Sequence, residues 1–399
     1  MPFSDSTGTA ESAKARSAKV LTYTAYASFL PIGIVTVLLG PMLPTLSTRW
    51  LLNYSQAGAL FNAQYLASTL AVFLSGLLVA RWGYRFAMKA GLLFVIAGLA
   101  FLLSGSKTLG IVCIAAYGGG LGLAVPAANL LVAELNPSRR SATLNVLNFC
   151  WSAGAVACPF LVAAAAKKHQ VPLMLGLVAG CVFLLLAGIA GMPSSIVEPA
   201  IVKDASGEIN WKNQAMPALA ALFFVYVGTE NGFGGWIATY SKSLGKMTPT
   251  MSLMTPSVFY AALTLGRWLA PLSLRFLDEI RLVQAGLLVA CAGTGGLVLS
   301  HGLPGVVASA SLAGLGLAGV YPITISLLSR EFGPAASKVG SVMFTLSNLG
   351  GGLFPWMVGV SSSRFGTLKA GLAVPLIGSA IMYVLYLGDW KSDKAQLST

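Results

Sequence analysis

Acidic residues are scarce in this chain: 12 Asp and Glu stand against 25 Lys and Arg among 399 residues, and charged residues make up only 9%. With 56% hydrophobic residues and a mean hydropathy of +0.78, the chain lacks the polar surface a soluble two-domain protein needs. Only two histidines occur, His169 and His301, both in expected loops, and no H-E-x-x-H, G-x-S-x-G or G-x-x-x-x-G-K-[ST] pattern is present. That argues against a hydrolase of either kind and against an ATP-driven pump. The five cysteines lie inside apolar runs and form no C-x-x-C pair, so they read as small core residues, not as disulfides or metal ligands. The basic residues come singly or in pairs between apolar runs, with no basic face for nucleic acid. No enzyme activity, cofactor or metal is expected.

What is present is apolar sequence in long runs. Runs of about 18 or more residues read as membrane spans, and twelve are found, at 20–46, 55–80, 86–104, 109–134, 141–166, 171–191, 216–240, 252–275, 282–300, 304–329, 338–362 and 369–388. The first is too long for a signal-peptide core, and its Pro31, Pro41 and Pro44 predict a bent span. The organisation expected is a disordered tail over 1–19, a six-helix bundle over 20–192, a polar linker over 193–214, a second six-helix bundle over 215–389 and a tail over 390–399. Sixteen Lys and Arg fall on the side of the N-terminus and eight opposite, with Arg267 inside a span completing the 25. The bias places both termini in the cytoplasm.

The two halves repeat each other. Gly120-Leu121-Gly122-Leu123-Ala124, with Pro126 and Glu134-Leu135-Asn136-Pro137, recurs as Gly314-Leu315-Gly316-Leu317-Ala318, with Pro322 and Glu331-Phe332-Gly333-Pro334. Arg81 matches Arg275 and Pro159 matches Pro355 at similar separations. The expected fold is therefore an all-α membrane protein of twelve transmembrane helices in two pseudo-symmetric six-helix bundles, an architecture that exposes a site alternately to each side.

One acid is out of place. Glu230 lies deep in the run 216–240, within Tyr226-Val227-Gly228-Thr229-Glu230-Asn231-Gly232, whereas the other acids fall in tails, loops or at the ends of runs. A charge at the bilayer centre costs about 2.5 to 3.5 kcal/mol, so a functional role is the default reading.

With these features the chain resembles the major facilitator superfamily over nearly its whole length. Gly76-Leu77-Leu78-Val79-Ala80-Arg81-Trp82-Gly83-Tyr84-Arg85 is similar to that superfamily's G-x-x-x-D-R-x-G-R-R loop, with Ala80 in place of the acid. Tyr226 to Glu230, Ala127-Ala128-Asn129, Gly266-Arg267 and Gly40-Pro41-Met42-Leu43-Pro44 resemble the fucose, galactose and glucose proton symporters within it. Two acids of the fucose branch are missing: Val125 stands at one position, and the run from Ala25 to Ser47 contains none. The resemblance implies a secondary transporter.

A sugar site needs amides or carboxylates for paired hydrogen bonds and aromatic faces for the ring. Gln64, Asn129, Asn145, Asn148, Trp151, Glu230, Asn231, Trp236, Tyr321 and Asn348 are the candidate binding residues, and Asn145, Asn148 and Trp151, spaced by three, share a helix face. Each has an ordinary alternative: intramembrane amides glue helices together, for about 0.6 kcal/mol on average, and a buried Trp is more often packing than contact. Glu230 is also the candidate for proton coupling; it either carries H+ or accepts hydrogen bonds from the solute. Arg81, Arg85, Glu134, Arg139, Arg267, Arg275 and Glu331 are assigned to gating. Arg267 lies roughly 13 Å from the inner end of its span and Glu230 roughly 21 Å, so a gate role is expected for Arg267 ahead of a direct pair. The function these residues support is a transporter of a small polar solute, a hexose-like sugar first, secondary active or facilitative. Efflux of drugs or other small organic compounds is the alternative, and a non-transporting sensor lies further off. A monomer in contact with membrane lipid, in a bacterial-type inner membrane, completes the expectation.

Overall fold

In a computed structural model, residues 6–191, 213 and 215–388 are described. The linker expected over 193–214, save Asn213, and the tail over 390–399 lie outside the described residues. The described chain is helical almost throughout. The first span is α1 (Ser6–Val37) with α2 (Leu39–Trp50); α3 (Tyr54–Trp82), α4 (Tyr84–Phe101), α5 (Lys107–Leu135), α6 (Arg140–Lys167) and α7 (Val171–Ala190) complete the first six. The second six are α8 (Ala215–Ser243), α9 (Pro249–Ser273), α10 (Glu279–Leu299), α11 (Leu303–Leu317) with α12 (Val320–Phe332), α13 (Ala336–Phe365), and α14 (Leu368–Gly371) with α15 (Ala373–Leu385). The chain thus has twelve spans in two six-span halves.

Three spans are broken, each for the same reason. The breaks fall after Val37, Leu317 and Gly371. Pro41, Pro322 and Pro375 lack the N–H that would bond the carbonyl four residues earlier, at Val37, Ala318 and Gly371, and their rings crowd that carbonyl. At the N-terminus α1 takes in residues 6–19 of the expected tail. Their Ala, Lys, Arg and Glu content favours helix, and a span directly follows to propagate it.

By length and composition, nine helices among the described residues are apolar enough to cross a membrane. Three long helices outside that set, α8, α9 and α13, have 29, 25 and 30 residues and are long enough to span. They are less apolar because they carry Glu230, Arg267 and Asn348. Elsewhere large apolar side chains such as Leu70, Phe73, Leu184 and Val384 are exposed, as a lipid-facing surface requires.

The chain divides into two compact units. The first comprises Met1–Leu52, Ala59–Asp204 and Pro249–Ser257; the second comprises Asn53–Gly58, Ala205–Thr248 and Val258–Thr399. Inside the first unit α1 and α6 approach with backbone against backbone: a Cβ on Gly33 would overlap the carbonyl oxygen of Trp151. Only glycine fits there. At the turn between α3 and α4, Gly83 has φ +82°, a conformation other residues adopt at a cost, which explains the glycine in this loop.

Candidate functional site

The polar cluster of the second unit is built on α8. Glu230 sits mid-helix, and its Oε2 lies 3.8 Å from Nη2 of Arg267 on α9; the side chains are 11% and 28% exposed respectively. The same Nη2 donates a hydrogen bond to the Tyr226 hydroxyl at 3.0 Å. Tyr226 is one helical turn before Glu230, so both point to the same side of α8. Behind these groups stands an aromatic wall. The Tyr226 ring packs on Tyr321 of α12 with centroids 5.4 Å apart, while Phe223 meets Tyr321 and Phe344 edge-on at 5.7 Å each.

A nitrogen–oxygen distance of 3.8 Å is an ion pair but not a hydrogen bond. Charge holds the two groups together while most of the guanidinium's five donors and the carboxylate's acceptor positions stay open. Open hydrogen-bonding capacity in a largely buried place calls for a polar guest or water. The direct pair ranked behind a gate role for Arg267 is formed: its long stem carries the guanidinium across the offset between the two positions to Glu230. Asn348 of α13 is half-buried, and Asn231 donates to the Val227 carbonyl of its own helix at 2.8 Å. Trp236 stands apart from the expected solute contact. It is 0% exposed, its indole N–H donates to the Pro355 carbonyl at 2.8 Å, and its ring meets that of Tyr54. It is a packing residue.

The first unit holds a second cluster on α1, α3, α5 and α6. The Trp151 indole N–H donates to the Thr36 hydroxyl at 3.3 Å, and Gln64 donates to the Thr36 carbonyl at 3.1 Å. Tyr117 donates to the Gln64 amide oxygen at 3.3 Å. Gln64 is 2% exposed and bonded at both ends, so it ties helices together, and a solute contact there is not what its geometry offers. Trp151 and Asn129 are half-buried, the latter donating to Val125 of its own helix, and Asn145 and Asn148 are exposed.

Residues assigned to gating hold helix ends. The Tyr84 hydroxyl donates to Glu134 at 2.5 Å, joining the start of α4 to the end of α5. Arg85 donates to the Ile189 carbonyl at the end of α7 at 2.7 Å, and the exposed Arg81 lies over the Trp82 ring. In the second unit the corresponding join uses Glu279 at the start of α10: it pairs with Arg330 at 3.6 Å and accepts from Ser326 at 3.1 Å. Glu331, assigned to gating, has no ion pair among the described residues, and the neighbouring Arg330 turns to Glu279. Arg139 and Arg275 are exposed.

Three residues of these clusters stand outside the sequence-based candidates, and each has a signal in the sequence. Tyr226 stands four residues before Glu230. Thr36 is a polar residue inside the first span. Glu279 is where Arg85 falls when the repeat is applied, since 275 minus 81 is 194 and 85 plus 194 is 279.

Comparisons agree with this architecture. The Major Facilitator Superfamily model matches residues 25–355. A glucose/galactose transporter of Brucella abortus is 23% identical over 386 residues, covering 90% of this chain and 91% of its own. Sodium-dependent glucose transporter 1A of Mus musculus is 23% identical over 399 residues, covering 89% and 92%. Among solved structures, the D-xylose-proton symporter has a TM-score of 0.71 at 17% identity, covering 91% of this chain and 96% of that one. The E. coli fucose:proton symporter has a TM-score of 0.64 at 18% identity, covering 93% and 98%. With twelve spans in two repeating halves and a family match over most of its length, the chain belongs to the Major Facilitator Superfamily; it is an integral membrane transporter and not an enzyme.

Proposed function

We propose that this protein moves a small neutral sugar, hexose-like in size, across a bacterial-type inner membrane by alternating access, as a monomer with both termini in the cytoplasm. The observation that carries the reading is the open Glu230–Arg267 pair beside the Tyr226–Tyr321 aromatic wall. A pair with no net charge suits a neutral solute, its free donors and acceptors suit hydroxyls, and the half-buried Tyr321 ring suits the C–H side of a sugar ring. The names of the relatives support it, since two are glucose or glucose/galactose transporters and two structural neighbours are sugar–proton symporters. The groups of the first unit, Asn129, Asn145, Asn148 and Trp151, are taken as solute contacts on the same chemistry.

The test is counterflow of radiolabelled D-glucose in proteoliposomes loaded with unlabelled sugar. Saturable counterflow blocked by D-galactose is expected, and no flux with any hexose would refute the proposal. The same vesicles, loaded with a pH-sensitive dye, decide the coupling. Sugar-driven movement of H+ that Glu230→Gln abolishes while counterflow continues marks Glu230 as the proton carrier. No H+ movement, with counterflow lost in the variant, marks it as a hydroxyl acceptor in facilitated transport.

A further inference from the structure

The separation of Glu230 from Arg267 has a chemical meaning beyond holding a sugar in general. Two groups of opposite charge free to approach in a membrane interior would close to a direct hydrogen bond near 2.8 Å. These remain at 3.8 Å, and the Arg267 Nη2 that faces the carboxylate is hydrogen-bonded at 3.0 Å to Tyr226. Tyr226 is itself fixed: its ring is 2% exposed and packed against Tyr321, so its hydroxyl cannot follow the guanidinium elsewhere. The phenol therefore props the pair open, with an acceptor and a donor side by side and both partly accessible.

We propose that this propped pair reads one vicinal diol of the sugar, one hydroxyl donating to the Glu230 carboxylate while its neighbour accepts from the Arg267 guanidinium, and that Tyr226 is the positioning residue that keeps the two ends apart. The inference rests on the sugar-transport reading and names what that site selects. Oxygens on adjacent ring carbons lie about 2.8 Å apart, the length of one hydrogen bond, so the two can engage side-by-side acceptor and donor groups at once. A lone hydroxyl satisfies one partner and leaves the other charged group short, and a buried charge left short is the costlier fault. A sugar bearing a phosphate or carboxylate at this position would meet Glu230 as a like charge and be rejected. The clamp thus selects neutral sugars with two adjacent free hydroxyls in one orientation.

The experiment is a competition series on D-glucose counterflow, using monodeoxy sugars that remove each ring hydroxyl in turn. Loss of about tenfold or more in competing potency is expected at two adjacent positions and less than about threefold elsewhere, since hydrogen bonds to charged groups are the strong ones. In Tyr226→Phe the guanidinium is free to close on the carboxylate, and the contrast between those two positions and the rest should shrink while unfolding temperature in detergent stays near that of the wild type. A single sensitive position, or equal sensitivity all round the ring, overturns the diol clamp while leaving sugar transport intact. An unchanged pattern in Tyr226→Phe overturns its positioning role. Absence of any hexose counterflow overturns the sugar reading and the clamp together. The deoxy series on the wild type stands whether or not the variant folds.

Discussion

Replacing Arg267 by Met removes the cation from Glu230 while keeping a long apolar stem in the same space. At 3.8 Å the pair is worth about 4 kcal/mol of Coulomb energy at an effective dielectric of about 20. One feature lowers the net cost: Arg267 is 28% exposed, so water screens part of the attraction. We expect Arg267→Met to lose about 2 to 3 kcal/mol, at the low side of what breaking a buried pair costs. Glu230→Gln should lose a comparable amount, because it strands the guanidinium with only the Tyr226 hydroxyl. The double variant, having neither charge, should lose much less than the sum. The measurement is equilibrium unfolding in mixed detergent micelles for all four proteins. If the double variant equals the sum of the singles within about 0.5 kcal/mol, the two charges do not interact and the reasoning about the pair fails.

Two further outcomes follow from the first unit. Thr36→Val removes the acceptor of the Trp151 indole N–H, and at about 1 kcal/mol for such a bond the apparent sugar affinity in counterflow should fall about fivefold with maximal rate little changed; Thr36→Ser should restore it. Gly33→Ala places a methyl group on the Trp151 carbonyl and forces α1 from α6, so a loss of about 1 to 3 kcal/mol is expected, read as a lowered unfolding temperature and a smaller monodisperse fraction on size-exclusion chromatography.

Much of the fold was legible before any coordinates because the bilayer imposes a simple code. Twelve apolar runs became twelve spans because an apolar segment in lipid has to close its own backbone hydrogen bonds. Pro31, Pro41 and Pro44 pointed to the bend in the first span, whereas the breaks before Pro322 and Pro375 were not read from the sequence, and Pro126, Pro159 and Pro355 lie within unbroken helices, so proline alone does not decide a break. The composition of residues 6–19 suits both a solvated coil and a helix, and the adjoining span favours the helix that α1 forms there. Glu230 was conspicuous in the sequence for the same reason that the spans were: a charge among apolar residues stands out.

Partners were not legible. Whether an amide glues helices or faces a solute depends on which way one helix is rotated, and Gln64 and Asn148, both polar and in adjacent-looking contexts, came out buried and exposed respectively. Trp236, six residues from Glu230, looked like part of the same site and is turned into packing. The order of residues alone determined that this chain spans a membrane twelve times, that its halves repeat, and that one acid sits deep within it, because hydropathy and charge are properties of the residues themselves. Only the tertiary structure decided that Arg267 reaches that acid, that Tyr226 holds them 3.8 Å apart, and that Glu279 in place of Glu331 takes Arg330. Those outcomes depend on side-chain reach between helices, and that is a property of packing.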